Sequence, residues 1–171
     1  VNAFSEYAKA PALAVQDADL NQLVLNVVDL YRTNEQHVAL HTDLHLEQRV
    51  RIDVNRMRQL LVNLIKNALE AMSEQGVGGT VRISTRLINE KNQPFAELTL
   101  TDSGPGIAPE LLPRLFDPYV TTKHKGTGLG LAIVKKIVEE HGGQISARNH
   151  ETEGAMITLQ LPLRAPQTKV V

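Results

Sequence analysis

Four short segments, in a fixed order, hold the residue types that could do chemistry: Asn63-Leu-Ile-Lys-Asn67, Asp102-Ser-Gly-Pro-Gly106, Phe116-Asp-Pro-Tyr119 and Gly126-Thr-Gly-Leu-Gly130. Asn63 and Asn67 stand one helical turn apart, and an amide oxygen is a hard neutral ligand suited to Mg²⁺, with Asn67 as the ligand and Asn63 beside it. Asp102 ends an apolar run, and the glycines behind it, Gly104 and Gly106, let a backbone approach a flat ligand; a carboxylate there can accept from the exocyclic amine of adenine. Gly126, Thr127, Gly128, Leu129 and Gly130 precede a helix, so free backbone N–H groups and the helix dipole can receive phosphate. Lys123 and Lys125, just before that loop, can offset phosphate charge. The combined inventory suits Mg-ATP.

Each segment alone has a plainer alternative. The two amides fit the solvated face of an amphipathic helix, the Asp-Ser-Gly-Pro-Gly run fits a strand-ending turn, and the lysines fit a solvated loop. The glycine loop is neither a Walker A sequence nor a dinucleotide fingerprint, which would need glycine where Leu131 stands. Six histidines are present, but neither an HExxH pattern nor a nucleophile elbow accompanies them; His41 and His45 fall in a strand pattern without a carboxylate motif.

The elements that must position these groups follow from periodicity. Val1, Phe4, Tyr7 and Ala8 have helical spacing up to Pro11, after which 11–17 reads as a linker. Asp19 can cap a helix through Leu20, Leu23, Val24, Val27, Val28 and Tyr31, and residues 39–46 alternate as a strand. Asp53 is a second cap, behind which Met57, Leu60, Leu61, Leu64, Ile65, Ala68 and Met72 form the apolar face of a long helix ending near Gly76. Its opposite arc carries Gln59, Asn63, Lys66, Asn67 and Glu70. Period two then predicts a hairpin, Val81 to Leu87 and Ala96 to Leu100, turning through 89–94. After a loop from Ser103 to Gly126, which reads as a moving lid anchored by Phe116 and Tyr119, a helix starts near Gly128 and ends at Gly142-Gly143. Two strands, 145–149 and 155–161, close the pattern. The sum is an α+β sandwich: a mixed, mostly antiparallel sheet of about five strands covered on one face by three helices.

Composition bounds the rest. With 171 residues, 42% apolar and 22% charged, the chain fits one domain with an ordinary core. A net charge of −1 gives no footprint for nucleic acid, and the absence of cysteine excludes disulfides and thiolate metal sites. No run approaches the roughly 20 apolar residues that span a bilayer. The chain opens Val1-Asn-Ala-Phe-Ser without Met or a signal region, and reads as an excised cytoplasmic piece.

The ordered set resembles the catalytic and ATP-binding (HATPase_c) domain of bacterial sensor histidine kinases, in the wider group that includes gyrase, Hsp90 and MutL. Asn63 to Asn67 is similar to the N box, Asp102 to Gly106 to the G1 box, Phe116 to Tyr119 to the F box, and Gly126 to Gly130 to the G2 box; Gly154 is similar to the next Gly-rich segment. Phe4-Ser-Glu-Tyr-Ala8 and Phe116-Asp-Pro-Tyr-Val-Thr-Thr-Lys123 look like the nitrogen-regulation kinases of NtrY and NtrB type.

The resemblance implies a Bergerat-type sandwich over 17–163, preceded in 1–16 by the stub of a phosphoacceptor hairpin and a linker, and followed by a tail, 164–171. It implies ATP and Mg²⁺ as cofactors, with Asn67 on the metal, Asp102 on the adenine amine, and Lys123 and the glycine loop on the phosphates. In the ATPase relatives the position of Asn63 carries a Glu general base; Asn63 cannot act as one, which favours phosphoryl transfer to a side chain over hydrolysis. That acceptor is a histidine before an acidic residue and Asn-Pro, a context none of the six histidines has, so the chain alone should not autophosphorylate. Implied partners are the upstream hairpin and an NtrC/NtrX-like response regulator receiver; nucleic acid is not implied. The isolated domain is expected to be a monomer, and its parent a homodimer, cytoplasmic or anchored in the inner membrane. Ala155 replaces a hydroxyl residue common in relatives, and Glu70 stands where several carry a basic residue. A self-contained ATPase and a degenerate nucleotide-binding interaction module are the alternatives.

Overall fold

A computed structural model describes residues 12–32, 38–74, 78–120, 130–152 and 154–163. The short strand β1 (Gln16–Ala18) leads into helix α1 (Leu20–Arg32), followed by β2 (Val38–Leu44), β3 (Val50–Ile52) and the long helix α2 (Val54–Glu74). A hairpin of β4 (Gly79–Glu90) and β5 (Gln93–Asp102) comes next, then a single 3₁₀ turn (Leu112–Arg114), helix α3 (Gly130–Glu140), and strands β6 (Gln144–Asn149) and β7 (Ala155–Pro162). The main sheet runs in the order β2-β4-β5-β7-β6. Only β2 and β4 pair in parallel within it; the other three pairings are antiparallel. This is the mixed, mostly antiparallel α+β sandwich that the sequence predicts.

Alternation decides which face is covered. Ala96, Leu98 and Leu100 on β5 and Ile157, Leu159 and Leu161 on β7 are buried against the helices, where they meet Leu60, Leu64 and Ala68 of α2 and Ile133 and Ile137 of α3 in one core. The opposite face is polar: Glu97 accepts from Arg86 Nε at 2.7 Å and from Gln160 Nε2 at 3.2 Å, and Thr99 meets Thr158 at 3.4 Å. Asp102 has the parity of Leu100, so the sheet aims its carboxylate at the helix-covered side.

Several boundaries differ from expectation. Segment 11–17 is not linker throughout, because β1 pairs with β3 in a separate antiparallel ribbon, Gln16 opposite Ile52 and Ala18 opposite Val50. The β4–β5 turn is only Lys91 and Asn92, both left-handed at φ 50° and 63°, so pairing extends over residues placed in the turn. His45 lies just past β2 and meets Asp43 at 2.6 Å rather than sharing a strand face with His41. The expected helical stub at 1–10 and the tail at 164–171 lie outside the described residues.

Candidate active site

Helix α2 carries the metal-binding candidates, and its start is fixed from three directions. Asp53 caps it, Oδ1 accepting from Arg56 N at 3.1 Å, while Oδ2 accepts from Ala14 N at 2.9 Å. The backbone N–H of Asp53 donates to Nε2 of buried His141 at 3.0 Å, and His141 Nδ1–H donates to Ile137 O at 2.7 Å. This pattern requires a neutral imidazole protonated on Nδ1. Because His141 sits at the end of α3, and Arg56 meets Glu140 at 3.2 Å, the start of α2 is tied to the end of α3. Burial raises the Asp53 pKa, but the amide donors Ala14 and Arg56 and the Arg56 charge outweigh it and hold the group below the usual carboxylate range.

Two turns further along, Asn63 and Asn67 are both half-buried on the arc away from the core. Asn63 Nδ2 donates to Gly130 O at 3.3 Å, so the N-box amide touches the first residue of α3. Lys66 and Glu70 lie 4.0 Å apart on the exposed side of the same helix, a pairing that leaves Glu70 engaged with a neighbouring lysine. Among the described residues no cluster of His, Cys, Asp and Glu could hold a metal.

At the end of β5, Asp102 is 9% exposed. Its Oδ1 accepts from Gly104 N at 2.9 Å and from Ala155 N at 3.3 Å, and Oδ2 has no partner among the described residues. Burial pushes this carboxyl above its ordinary value, opposed by those two amides. Gly154, at φ +83°, lets β7 begin directly against the Asp102 carbonyl, where a β-carbon would collide with the backbone. A β-carbon on Gly104 would stand 3.1 Å from both Asp102 Oδ1 and Met72 Cγ of α2, a tight fit that one of those side chains would have to relieve by a few tenths of an ångström. Ser103 holds the turn to β4: its N donates to Thr80 O at 3.0 Å, and Thr80 N donates to its Oγ at 2.8 Å.

The predicted residues therefore fall at two levels of one helix. Asn63 meets Gly130 at mid-α2, while Met72, nine residues on, underlies the Asp102 turn. At 1.5 Å per residue the two levels are about 13 Å apart along the axis. Phe116 packs against the core, whereas Tyr119 is 63% exposed at φ 68° and is not among the described residues packed on that core. Lys123, Lys125, Gly126, Thr127, Gly128 and Leu129 lie outside the described residues. The sequence reading overlooked Asn149, His141 and Ser103. Only Ser103, inside a recognised motif, carried a signal.

Residues 52–165 match the family described as histidine kinase-, DNA gyrase B- and HSP90-like ATPase. The chain belongs to this family. It is 36% identical to the sensor histidine kinase ZraS of Salmonella typhimurium over 98% of its own length and 35% of that protein's. It is 37% identical to the nitrogen regulation protein NtrY of Azorhizobium caulinodans over 99% of its length and 22% of that protein's. The chain thus spans about a third or less of these curated relatives. The solved catalytic domain of the histidine kinase ThkA superposes with a TM-score of 0.76 at 32% identity, covering 88% of this chain and 97% of that one. A second ThkA structure, in complex with the response regulator protein TrrA, superposes at 0.77 and 30% identity, covering 95% of this chain and 46% of that one. The family and the matching catalytic domain make this an ATP-binding domain of the histidine kinase branch. No helix among the described residues is long and apolar enough to cross a membrane.

Proposed function

We propose that this chain binds Mg-ATP and transfers its γ-phosphoryl group to a histidine on a helical hairpin of the parent protein, in the cytoplasm. One observation carries the reading: Asp102 is buried with one carboxylate oxygen saturated by two backbone N–H groups and the other open. Such a carboxylate is oriented and rigid, and its open oxygen can take the exocyclic amine of adenine, where guanine would present an acceptor. Gly104 and Gly154 keep side chains out of the base plane.

One turn beyond Asn63 in the middle of α2, Asn67 is the Mg²⁺ ligand, consistent with an arc that offers neutral amide oxygens. When bound, the ion neutralises charge on the β- and γ-phosphates. Lys123 and the loop Gly126 to Gly130 receive the phosphates, and Asn63, bonded to Gly130 O, holds the opening of α3 beside them. Asn63 has no basic atom with which to take a proton from water, so turnover by hydrolysis is slow and the acceptor imidazole supplies the nucleophile.

The phosphohistidine then passes its phosphoryl group to a receiver domain of a response regulator; the TrrA complex of ThkA is the support from a neighbour. An NtrC- or NtrX-like receiver fits the NtrY likeness, although the identity to ZraS is nearly the same. On this reading 17–163 is the catalytic unit and 1–16 leads from the hairpin. The test is calorimetric titration with a non-hydrolysable ATP analogue with and without Mg²⁺, beside a GTP analogue, then transfer of label from ATP to a supplied hairpin bearing the acceptor histidine. Saturable, adenine-selective binding and Mg²⁺-dependent labelling are expected; labelling of nothing but released phosphate would return the reading to an ATPase.

A further inference from the structure

Asn149 ends β6 opposite Ala155, and the register of β5 on β7 (Thr101 opposite Met156) continues that row to Asp102. Asn149 therefore lies on the helix-covered face, two strands from the base-binding carboxylate, about 10 Å away. Its side chain grips the backbone of one residue through both of its polar groups: Oδ1 accepts from Ile107 N at 2.7 Å and Nδ2 donates to Ile107 O at 2.8 Å. The same Oδ1 lies 2.9 Å from where a β-carbon on Gly106 would stand, and Gly106 is left-handed at φ +82°. The amide and the glycine thus fit one another, and neither position accepts a larger group without moving the other.

The grip lies at a boundary. Before it, the Asp102 turn is fastened at Ser103 to Thr80 and at Gly104 to Asp102. After it, the hydrogen bonds of residues 108–120 among the described residues are all within that segment, from Leu111 N to Ala108 O through Asp117 N to Arg114 O. Ile107 is the last point at which the turn is hydrogen-bonded to the sheet.

We infer that Asn149 is a positioning residue for base recognition: by clamping Ile107 it fixes the far end of the Asp102–Gly106 turn and so sets ATP affinity and adenine selectivity. The inference rests on the proposed adenine contact of Asp102. It does not involve the phosphates, which on that reading lie beside Asn63 in the middle of α2.

The test compares the chain with Asn149→Asp, which keeps the acceptor for Ile107 N and loses the donor to Ile107 O, and Asn149→Ala, which loses both. Affinity for a non-hydrolysable ATP analogue should fall in the order Asn, Asp, Ala, by about three- to tenfold overall, from the net worth of an exposed hydrogen-bonded pair. Affinity for inorganic triphosphate should not change, so the preference for ATP over a GTP analogue should shrink. Amide hydrogen exchange, read without nucleotide, should show Gly104 to Ile107 losing protection in Asn149→Ala while β6 and β7 keep theirs. Unchanged exchange at the turn overturns the inference whether or not nucleotide binds. So does an equal loss of affinity for triphosphate and ATP, which marks a merely structural residue. If the parent chain binds no nucleotide while exchange changes as described, the clamp stands and the adenine reading of Asp102 fails.

Discussion

Asp102 holds two demands in tension. Its folded pKa lies above its unfolded value because burial disfavours the charge more than the two amides support it. The associated stability is therefore complete below the ordinary carboxylate range and is lost as pH rises through the raised value. Binding has the opposite requirement, since the open oxygen must be an acceptor for an amine. Asp102→Asn should consequently abolish adenine selectivity in calorimetry without lowering the melting temperature at neutral pH, and any gain over the parent should vanish in acid. Wild-type affinity for the ATP analogue should begin to fall at a pH above the usual carboxylate range. Gly130 gives a complementary case. No atom of the described residues lies within 4 Å of the place its β-carbon would take, so Gly130→Ala should keep or raise the melting temperature, and on the proposed placement of the phosphates it should weaken nucleotide binding.

The three-way junction at Asp53 makes α2 and α3 one unit. Asp53→Ala removes the cap on Arg56 N and the partner of Ala14 N, and should cost about 1–2 kcal/mol in denaturant unfolding. Because the Asp53 pKa is lowered by folding, its contribution is present above the ordinary carboxylate range and lost as pH falls through the lowered value. His141→Leu would strand the buried N–H of Asp53, at a cost of about 1–3 kcal/mol, and should loosen nucleotide binding through both helices. Of these elements, the helices were legible because their apolar stripes run for three to six turns at 3.6 residues; the Asp19 and Asp53 caps read correctly for the same reason, standing just before each stripe. Strands β1 and β3 were not, since three residues each, Gln-Asp-Ala and Val-Arg-Ile, are too few to carry a period. The turn at Lys91-Asn92 was read too long because the sequence lacks the glycine that commonly marks a two-residue hairpin turn. The role of His141 in joining two helices depends on an 88-residue separation that no local pattern announces.

Seen whole, the molecule places one continuous core beneath a site whose two ends are reached by different chain segments, and that is why the motifs recur in order but far apart. The order of motifs was enough to read the family; the fastening of the site to the sheet was not, because Thr80, Asn149 and Ala155 contribute backbone atoms or an exposed amide without distinctive spacing. Ligand binding should register globally: at a nucleotide concentration 100 times its dissociation constant, stability should rise by about 2.7 kcal/mol and the melting temperature by roughly 5–10 °C, readable by scanning calorimetry with and without Mg²⁺. An unchanged melting temperature would mean that nucleotide does not favour the folded state.

The contact of Gly154 with the Asp102 carbonyl also limits how this domain can vary under chemical attack. On the proposed adenine contact, a molecule that competes for the site by hydrogen-bonding Asp102 and lying along Gly154 meets two positions that are costly to exchange: a side chain at 154 drives β7 away from the base turn, and loss of the carboxylate at 102 removes the acceptor that adenine would use. Resistance to such an inhibitor therefore has to arise at residues other than these two.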